Sequence, residues 1–409
     1  MPPSTEELDL LSDLQARSFA EGRIFWNGED ELAVFDPHAA QQINALNYSD
    51  LTLPDKLGDL LRGLSGEPVS WKQVRAAWTA QLQRLADGEE VGRLAARMSD
   101  LLDERLDQPL DLVWVAQEVC GRALLPMVVT GLSPADTARV VRAQMLRMTG
   151  LVTSAESRQP LGKVIRAVLI QTRAGLALRR ELRGRATGRR PRQLDLTDPL
   201  VDLLPVLGLD RAIPALTAML TAIAGPPGAA AACLFYELTR RPDWAARMAG
   251  ELAPIPLKDL YAAPARVAPL THRFVKETLR MWSPPSLMTQ PVRTDIDHEQ
   301  VCLKTGQRYL LSPYLIHHDP RNWKDPDTFD PDRWIPGSER GPCNAASYVP
   351  FGWAPKACIG GGLGTTLLMM LCNLLCTRYR IQLADPESVR ITLAAAPLPL
   401  NFHGTITRR

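Results

Sequence analysis

The chain has 409 residues, of which 45% are hydrophobic, and a formal net charge of +2 at pH 7. It can therefore bury a large core, its length alone suggests two or three domains, and the near-zero charge gives no electrostatic basis for binding nucleic acid. The seven cysteines are irregularly spaced and form neither a disulfide framework nor a zinc pattern, which predicts a protein of the reducing cytoplasm.

The first third of the chain begins with a polar, acidic segment, residues 1–7, from which we expect neither a signal peptide nor a membrane anchor. Two short β-like pieces follow at residues 23–26 and 31–35, separated by a turn at 27–30. Helical periodicity then dominates from about residue 71 to residue 280.

The last third combines β-like and helical patterns. A second β-like patch covers residues 287–311, and residues 391–406 are predicted to form a last hairpin around 397–404. The apolar run at 367–376 is too short to span a bilayer. The sequence thus predicts a mainly α fold with small β regions at about 20–36, 287–311 and 391–406.

An arginine-rich segment, residues 179–192, contains seven arginines and one glutamate. It could serve as an electrostatic dock for an acidic partner or substrate. The alternative is a solvated loop between two helices, which is the usual place for a run of charges.

Two prolines interrupt the helical pattern in the string Thr221-Ala222-Ile223-Ala224-Gly225-Pro226-Pro227-Gly228. Prolines inside a helix remove N–H donors and cost about 3 kcal/mol or more each, so we expect the helix to be broken here. No Asp, Glu, Ser or Thr follows Thr221 until Glu237.

Cys358 lies in a glycine-rich loop that leads into a long apolar helix. A cysteine that ligates iron must remain a thiolate, which a tight turn and the positive end of a following helix favour. Gly360 would let the backbone approach a flat macrocycle, and Phe351 can pack beside the sulfur. The alternative is a buried free cysteine of no catalytic role.

An acid and two arginines precede that loop. Glu277 and Arg280 are three residues apart on one face of a predicted helix that Ser283-Pro284-Pro285 ends. Arg333 follows in the string Phe329-Asp330-Pro331-Asp332-Arg333-Trp334. Unrelated surface ion pairs are the alternative interpretation.

These motifs, in this order, closely resemble those of the cytochrome P-450 superfamily. The residues that carry the resemblance are Phe351, Gly352, Lys356, Cys358 and Gly360 in the loop, with Glu277, Arg280 and Arg333 as its Glu-Arg-Arg cluster. Two positions depart from the family pattern: Ala354 replaces a glycine, and Lys356 replaces a histidine or arginine. The resemblance implies a single haem-thiolate domain over residues 1–409 with the triangular-prism fold of soluble bacterial members, and haem b with Cys358 as axial ligand.

The resemblance also implies the rest of a haem site. Trp71 and Arg75 match a W-x-x-x-R helix that binds a propionate, Lys356 can donate to a propionate, and Arg293 is the expected further donor, although the matching position holds Gln290. The substrate pocket is expected to be lined by the kink at 223–228, including Ile223, by Leu287, Met288 and Thr289, and by the turn at 398–402.

The central helix is where the chain departs most from the family. Ala224 and Gly225 match the alanine-glycine pair, whereas Pro227 and Gly228 occupy the positions of the acid and alcohol that relay protons. Neither side chain carries a proton, so these four positions are predicted to define an atypical catalytic helix.

Three functions remain open. The first is a tailoring oxidoreductase of bacterial specialised metabolism that couples or cross-links aromatic groups, for example in a peptide. The second is a conventional monooxygenase of a small hydrophobic metabolite, with water delivering protons. The third is a haem protein with a non-oxidative or recruitment role. Because no flavin or nicotinamide fingerprint occurs, we expect ferredoxin and ferredoxin reductase as partners, no membrane, and a cytoplasmic location.

Overall fold

The computed structural model of the chain describes residues 5–47, 71–86, 88–152, 161–299, 301–393 and 396–409. In chain order the helices are α1 (Thr5–Ala20), α2 (Pro37–Leu46), α3 (Trp71–Leu85), α4 (Gly88–Asp103), α5 (Leu112–Val128), α6 (Pro134–Val152), α7 (Leu161–Ala186), α8 (Asp198–Ala222), α9 (Gly225–Arg240), α10 (Pro242–Leu252), α11 (Leu257–Ala262), α12 (Pro264–Val267), α13 (Pro269–Met281), α14 (Pro313–His317) and α15 (Gly361–Thr377). Short 3₁₀ turns lie at Pro331–Trp334, Ala345–Ser347 and Pro386–Ser388.

The strands are short. They are β1 (Ile24–Trp26), β2 (Glu31–Val34), β3 (Leu110–Asp111), β4 (Met288–Pro291), β5 (Ile296–His298), β6 (Val301–Leu303), β7 (Arg308–Leu311), β8 (Tyr379–Leu383), β9 (Arg390–Thr392), β10 (Leu398–Leu400) and β11 (His403–Arg408). The predicted mainly α architecture with small β regions is confirmed.

The chain divides into two compact units. The first unit contains Met1–Asp50, Leu102–Val113 and Ala229–Arg409, and the second contains Leu51–Leu101 and Trp114–Gly228. The glycine-rich cysteine loop and the Glu-Arg-Arg residues belong to the first unit, whereas α3 and the Ala224–Gly228 string belong to the second.

Local sequence sets several helix starts in the first unit. Proline is the first residue of α2, α10, α13 and α14, where a missing N–H leaves no helical hydrogen bond unmade. The Asp36 carboxylate caps α2 by accepting from the backbone N–H groups of His38 and Ala39, and the Ser312 hydroxyl caps α14 through Leu315 N–H.

The main sheet of the first unit has the strand order β1-β2-β7-β4. β1 and β2 form the predicted antiparallel hairpin, β2 pairs with β7 in parallel, and β7 pairs with β4 antiparallel. Leu32 and Tyr309 point into one apolar cluster and Ala33 and Leu310 into another, as the two-residue repeat of a strand requires. The first cluster also contains Trp353 of the cysteine loop, so this sheet supports the loop.

The predicted hairpin around 397–404 is wrong. β10 pairs with β9, while β11 pairs with β8 and β3. Gly404 lies inside β11 and not in a turn. A Cβ at this position would overlap the carbonyl of Gln382 on β8, so only glycine fits. The glycine that suggested a turn therefore permits a close approach of two strands.

The arginine-rich segment combines helix and loop in the second unit. α7 extends to Ala186, and the Arg185 guanidinium is fully buried between the carboxylates of Glu181 and Asp195. Neither interpretation of the segment from sequence, a dock or a solvated loop, included a buried arginine. Arg180 and Arg189 remain exposed.

Within the described residues, the stretch Asp198–Arg240 is long and apolar enough to cross a membrane by length and composition, with 56% of its most apolar window buried. The core helix of a soluble protein can meet the same criteria. The stretch is interrupted at Gly208, whose φ is 64°, and again between α8 and α9.

Candidate functional site

The cysteine loop presents an exposed thiol next to the start of a helix. Cys358 is exposed, and its N–H donates to the Phe351 carbonyl at 2.7 Å, which closes the loop. α15 begins three residues later, with Gly361 N–H donating to the Cys358 carbonyl at 3.3 Å. A Cβ on Gly360 would lie 3.8 Å from the Cys358 sulfur. The sulfur therefore sits near the positive end of the α15 dipole.

The aromatic ring of Phe351 packs on the first turn of α15. A Cβ at Gly361 would lie 3.1 Å from the ring, and one at Gly364 would lie 3.6 Å from it. The absence of side chains at these two positions lets the ring lie against the helix backbone. Gly352 adopts a φ of 74°, which favours glycine. Phe351, Cys358 and Gly360 are thus brought together as predicted.

Behind the loop, Glu277 is fully buried and its carboxylate accepts five hydrogen bonds. The donors are Arg280 Nε at 3.0 Å and Nη2 at 2.8 Å, Arg333 Nε at 3.0 Å, Trp334 Nε1 at 3.0 Å and the Asp330 N–H at 2.9 Å. The three charged side chains are 0% exposed. The structure therefore assembles the predicted cluster as a buried network and not as surface ion pairs.

The other guanidinium N–H groups of Arg280 and Arg333 bind backbone carbonyls of the irregular segment between His317 and Arg340. Arg280 donates to the carbonyls of His317, Pro326 and Thr328, and Arg333 donates to those of Lys324, Asp325, Thr328 and Arg340. Since one carboxylate faces two guanidinium groups, these carbonyls balance the excess positive charge.

His317 connects this cluster to the cysteine loop, and the sequence analysis missed it. Its ring is buried, with Nδ1 2.9 Å from the Arg280 carbonyl, while Nε2 accepts from the Val349 N–H at 2.9 Å. Burial and the Arg280 charge hold the pKa of His317 well below its ordinary value. The neutral ring can donate at one nitrogen and accept at the other. The adjacent histidines at 317 and 318 were the only signal in the sequence.

Two cationic side chains converge near the loop. Burial, followed by the charge of Arg293, lowers the pKa of Lys356 to about 8. Lys356 Nζ lies 3.3 Å from the hydroxyl of Tyr309, which also accepts from Asn47 Nδ2 at 3.3 Å. Asn47 Oδ1 in turn accepts from the Arg293 N–H at 3.1 Å. Partly buried like charges held together favour a bound anion, and Tyr309 and Asn47 are further residues that the sequence analysis missed.

The predicted pocket residues of the first unit do not form one group. Leu287 packs against the cluster around Phe25 and Phe35, and Met288 packs against the cluster that contains Trp353. Thr289 is exposed and its hydroxyl donates to Glu31 at 3.3 Å. In the predicted turn at 398–402, the Phe402 ring is buried and contacts Tyr236 edge to face.

The predicted propionate helix lies in the second unit. Trp71 is the first residue of α3, but its side chain is outside the described part of the structure. Arg75 follows one turn later and is partly buried. Trp78 of the same helix is buried and donates to the Leu196 carbonyl at 2.8 Å.

The central helix breaks at the predicted place. α8 ends at Ala222, Ile223 is its C-cap, and α9 begins at Gly225. Pro226 and Pro227 lie in the first turn of α9, where a missing N–H does not remove a helical bond. Our expectation of about 3 kcal/mol or more per proline is therefore wrong, because it applies to prolines inside a helix.

Gly228 faces a neighbouring helix so closely that no side chain fits. A Cβ there would lie 2.7 Å from the Cα and 2.8 Å from the Cγ of Gln117 on α5. The position where the family pattern has an alcohol therefore holds a residue without a side chain, and packing leaves no room for one.

Within the described residues, no group of three or more His, Cys, Asp or Glu side chains could hold a metal ion.

A family model and several curated proteins match parts of the chain. The family model described as Cytochrome P450 matches residues 229–400. Cyclooctatin synthase of Streptomyces melanosporofaciens is 32% identical over 142 residues, which are 34% of this chain and 30% of that protein. Pentalenene oxygenase of Streptomyces avermitilis is 26% identical over 178 residues, which are 43% of this chain and 39% of that protein. The chain thus spans well under half the length of these relatives.

Solved structures show the same fold over nearly the whole chain. The structure titled "Retinoic acid bound cyanobacterial CYP120A1" superposes with a TM-score of 0.79 and 15% identity, and covers 99% of this chain and 96% of that one. At this identity the likeness establishes the fold alone.

Replacing Glu277 with alanine should leave two buried guanidinium groups without their carboxylate. We expect a loss of about 3–5 kcal/mol in the free energy of unfolding, measured by denaturant unfolding, together with poor recovery of folded protein. The matched control is Glu21→Ala, which removes an exposed i,i+4 partner of Arg17 and should leave the free energy of unfolding nearly unchanged. Equal effects of the two substitutions would contradict the buried network.

Replacing Gly228 with alanine tests whether packing closes the alcohol position. We expect the free energy of unfolding to fall by about 1–3 kcal/mol, because the new Cβ meets the backbone of Gln117. Gly92→Ala in α4 is the control: no atom lies within 4 Å of its new Cβ, so that variant should be unchanged or slightly stabilised. A Gly228→Ala protein as stable as wild type would show that the position is open.

Proposed function

The chain belongs to the cytochrome P450 superfamily, and on that premise we propose that it is a haem-thiolate oxidoreductase acting on a hydrophobic specialised metabolite. The observation that carries the proposal is the exposed Cys358 thiol at the start of α15, on a loop that a buried ion cluster holds in place. A structural cysteine would not need an exposed thiol on so constrained a loop.

The residues around the loop fit the haem of this superfamily. Cys358 would be the axial ligand, with Phe351 beside the sulfur and Gly360 leaving the approach to the ring open. Lys356 and Arg293 would hold carboxylates of the haem, since both are linked through Tyr309 and Asn47 beside the loop and two neighbouring cations suit an anion. Arg75 is proposed as a further propionate donor from the W-x-x-x-R helix.

The haem, when bound, supplies oxygen activation or one-electron oxidation. The chain's own residues position it and protect its ligand. The Glu277 cluster and His317 hold the segment that leads into the loop at Val349, and the ring of Phe351 packs on the first turn of α15. At the helix break, Pro227 and Gly228 cannot donate protons, so a proton must come from water or from the substrate.

Monooxygenation of a small hydrophobic metabolite is the reaction that we favour. One relative is named for oxygenating pentalenene and another is named a sterol demethylase, and both names denote apolar substrates. Oxidative coupling of aromatic groups is the second candidate, because the missing acid and alcohol favour a reaction in which the substrate itself gives up hydrogen.

Electrons are proposed to come from a ferredoxin and its reductase in the cytoplasm. A groove beside the cysteine loop is lined by Lys276, Tyr348, Phe351 and Gly362, among others. The Lys276 ammonium stacks 3.8 Å from the centre of the Trp334 ring at this place. This cationic, aromatic surface would suit an acidic electron carrier.

Carbon monoxide binding tests the ligand assignment. The reduced protein with carbon monoxide should show the red-shifted Soret band of thiolate-ligated haem, and Cys358→Ala should abolish that band. Cys343→Ala removes another exposed thiol and should leave the spectrum unchanged. A normal spectrum in the Cys358 variant would refute the assignment.

Mass spectrometry of the product distinguishes the two reactions. In turnover with a ferredoxin system under labelled dioxygen, monooxygenation adds one labelled oxygen atom, whereas coupling removes two hydrogens and adds no oxygen. We expect oxygen addition. Loss of two hydrogens would establish the second candidate, and no turnover despite intact haem and electron supply would contradict both and favour a non-oxidative role.

A further inference from the structure

The helix break in the second unit leaves one backbone carbonyl for a side chain to satisfy. In a continuous helix Leu220 O would accept from the N–H of Ala224, but that N–H donates to Thr221 O at 3.2 Å. Gln144, on α6, takes the vacant place: its Nε2 donates to Leu220 O at 2.7 Å. The sequence thus supplies a side-chain partner for the carbonyl that the break would otherwise expose.

This contact fixes the orientation of the amide. A carbonyl oxygen accepts only, so the nitrogen of the Gln144 amide must face Leu220 and the oxygen must point away. The side chain is 0% exposed, and Gln144 Oε1 has no hydrogen-bond partner in the part of the chain that the structure describes. A buried acceptor without a donor is unfavourable, and a bound donor group would satisfy it.

The free acceptor lies at the break itself. A Cβ built on Gly121 of α5 would be 3.3 Å from Gln144 Oε1 and 3.1 Å from the Cβ of Ala224. Gln144 Oε1 and the Ala224 side chain therefore approach the same point on α5, where glycine avoids a crowded contact. Gly228, three residues after Gly225, is closed by Gln117 and leaves no room for a side chain that could donate a proton.

We propose that Gln144 is a positioning residue whose Oε1 holds an O–H or N–H donor at the helix break. The donor is either an ordered water or a hydroxyl or amide of the substrate, since both offer the same chemistry. The proposal rests on the proposed function, because this donor would supply protons where Pro227 and Gly228 cannot. Glutamine does not ionise, so its part is to orient the donor and not to transfer the proton itself.

High-resolution crystal structures of the haem-loaded protein with and without substrate test the binding directly. We expect a donor atom within about 2.7–3.2 Å of Gln144 Oε1. Density in both structures identifies a water, and density from a substrate group in the complex alone identifies the substrate. The proposal is overturned if neither structure shows a water or substrate atom near Oε1, or if a protein group donates to it in both. This result does not depend on turnover, so it can fail or succeed independently of the proposed function.

Variants test the role of the bound donor. Gln144→Leu should lower the fraction of consumed reducing equivalents that appears in product by about two- to tenfold, the size expected for one lost hydrogen bond, with an unchanged carbon monoxide spectrum. Gly121→Ala retains Gln144 but crowds its Oε1, and should give the same loss if Gln144→Leu folds poorly.

The matched control is Gln81→Leu. Gln81 is also buried and donates through Nε2 to a backbone carbonyl, that of Asp195 at 2.9 Å, but its Oε1 already accepts from Arg84 at 3.2 Å. This variant should lose stability while its coupling of electrons to product stays at the wild-type value. Wild-type coupling in both Gln144→Leu and Gly121→Ala, or equal loss in Gln81→Leu, would overturn the positioning role.

Discussion

The carboxylate of Glu277 is buried between two guanidinium groups, and the position of the cysteine loop follows from how these charges are satisfied. A charge removed from water must be paired and hydrogen-bonded. Arg280 and Arg333 therefore recruit carbonyls from the irregular chain between His317 and Arg340, which has little regular structure of its own. The neutral His317 ring links this network to the backbone of Val349, two residues before Phe351, by hydrogen bonds at its two nitrogens. The network thus holds the chain where the loop begins, while the Cys358–Phe351 hydrogen bond and the packing of Trp353 on the sheet shape the loop itself.

The helix break is the second constraint. It limits which side chains can supply protons, and its prolines cost little stability. Pro226 and Pro227 lie in the first turn of α9, so their missing N–H groups cost no helical hydrogen bond and both helices can form. The close contact of Gly228 with α5 then excludes any hydroxyl at that position. A haem enzyme built this way needs another source of protons, and the buried amide oxygen of Gln144 marks where the fold can hold one. Both reactions proposed above, with protons from water or from substrate, are compatible with this geometry.

The sequence was sufficient for features that lie close together along the chain. The cysteine loop, the Glu277–Arg280 spacing and the β1–β2 hairpin are set by local residue types, so their structures follow from the motifs. Features that depend on distant partners were missed or wrong. A hairpin was predicted around 397–404, but β11 pairs with the distant strand β8, which the local residues do not reveal. The buried Arg185 lies among solvent-exposed arginines in the sequence, and only its contacts distinguish it. His317 and Gln144 have no sequence pattern, because only the folded chain brings their partners to them.

The central claim is that the buried cluster forms the cysteine loop before haem binds. Amide hydrogen exchange of the haem-free protein, resolved at Cys358, Gly361 and Gly364, tests it directly, because these N–H groups donate to Phe351, Cys358 and Gly360. If the cluster orders the loop, these amides should exchange at least about a hundredfold more slowly than in an unstructured peptide. Exchange at the unstructured rate would contradict it, since haem and not the ion cluster would then be what orders the loop.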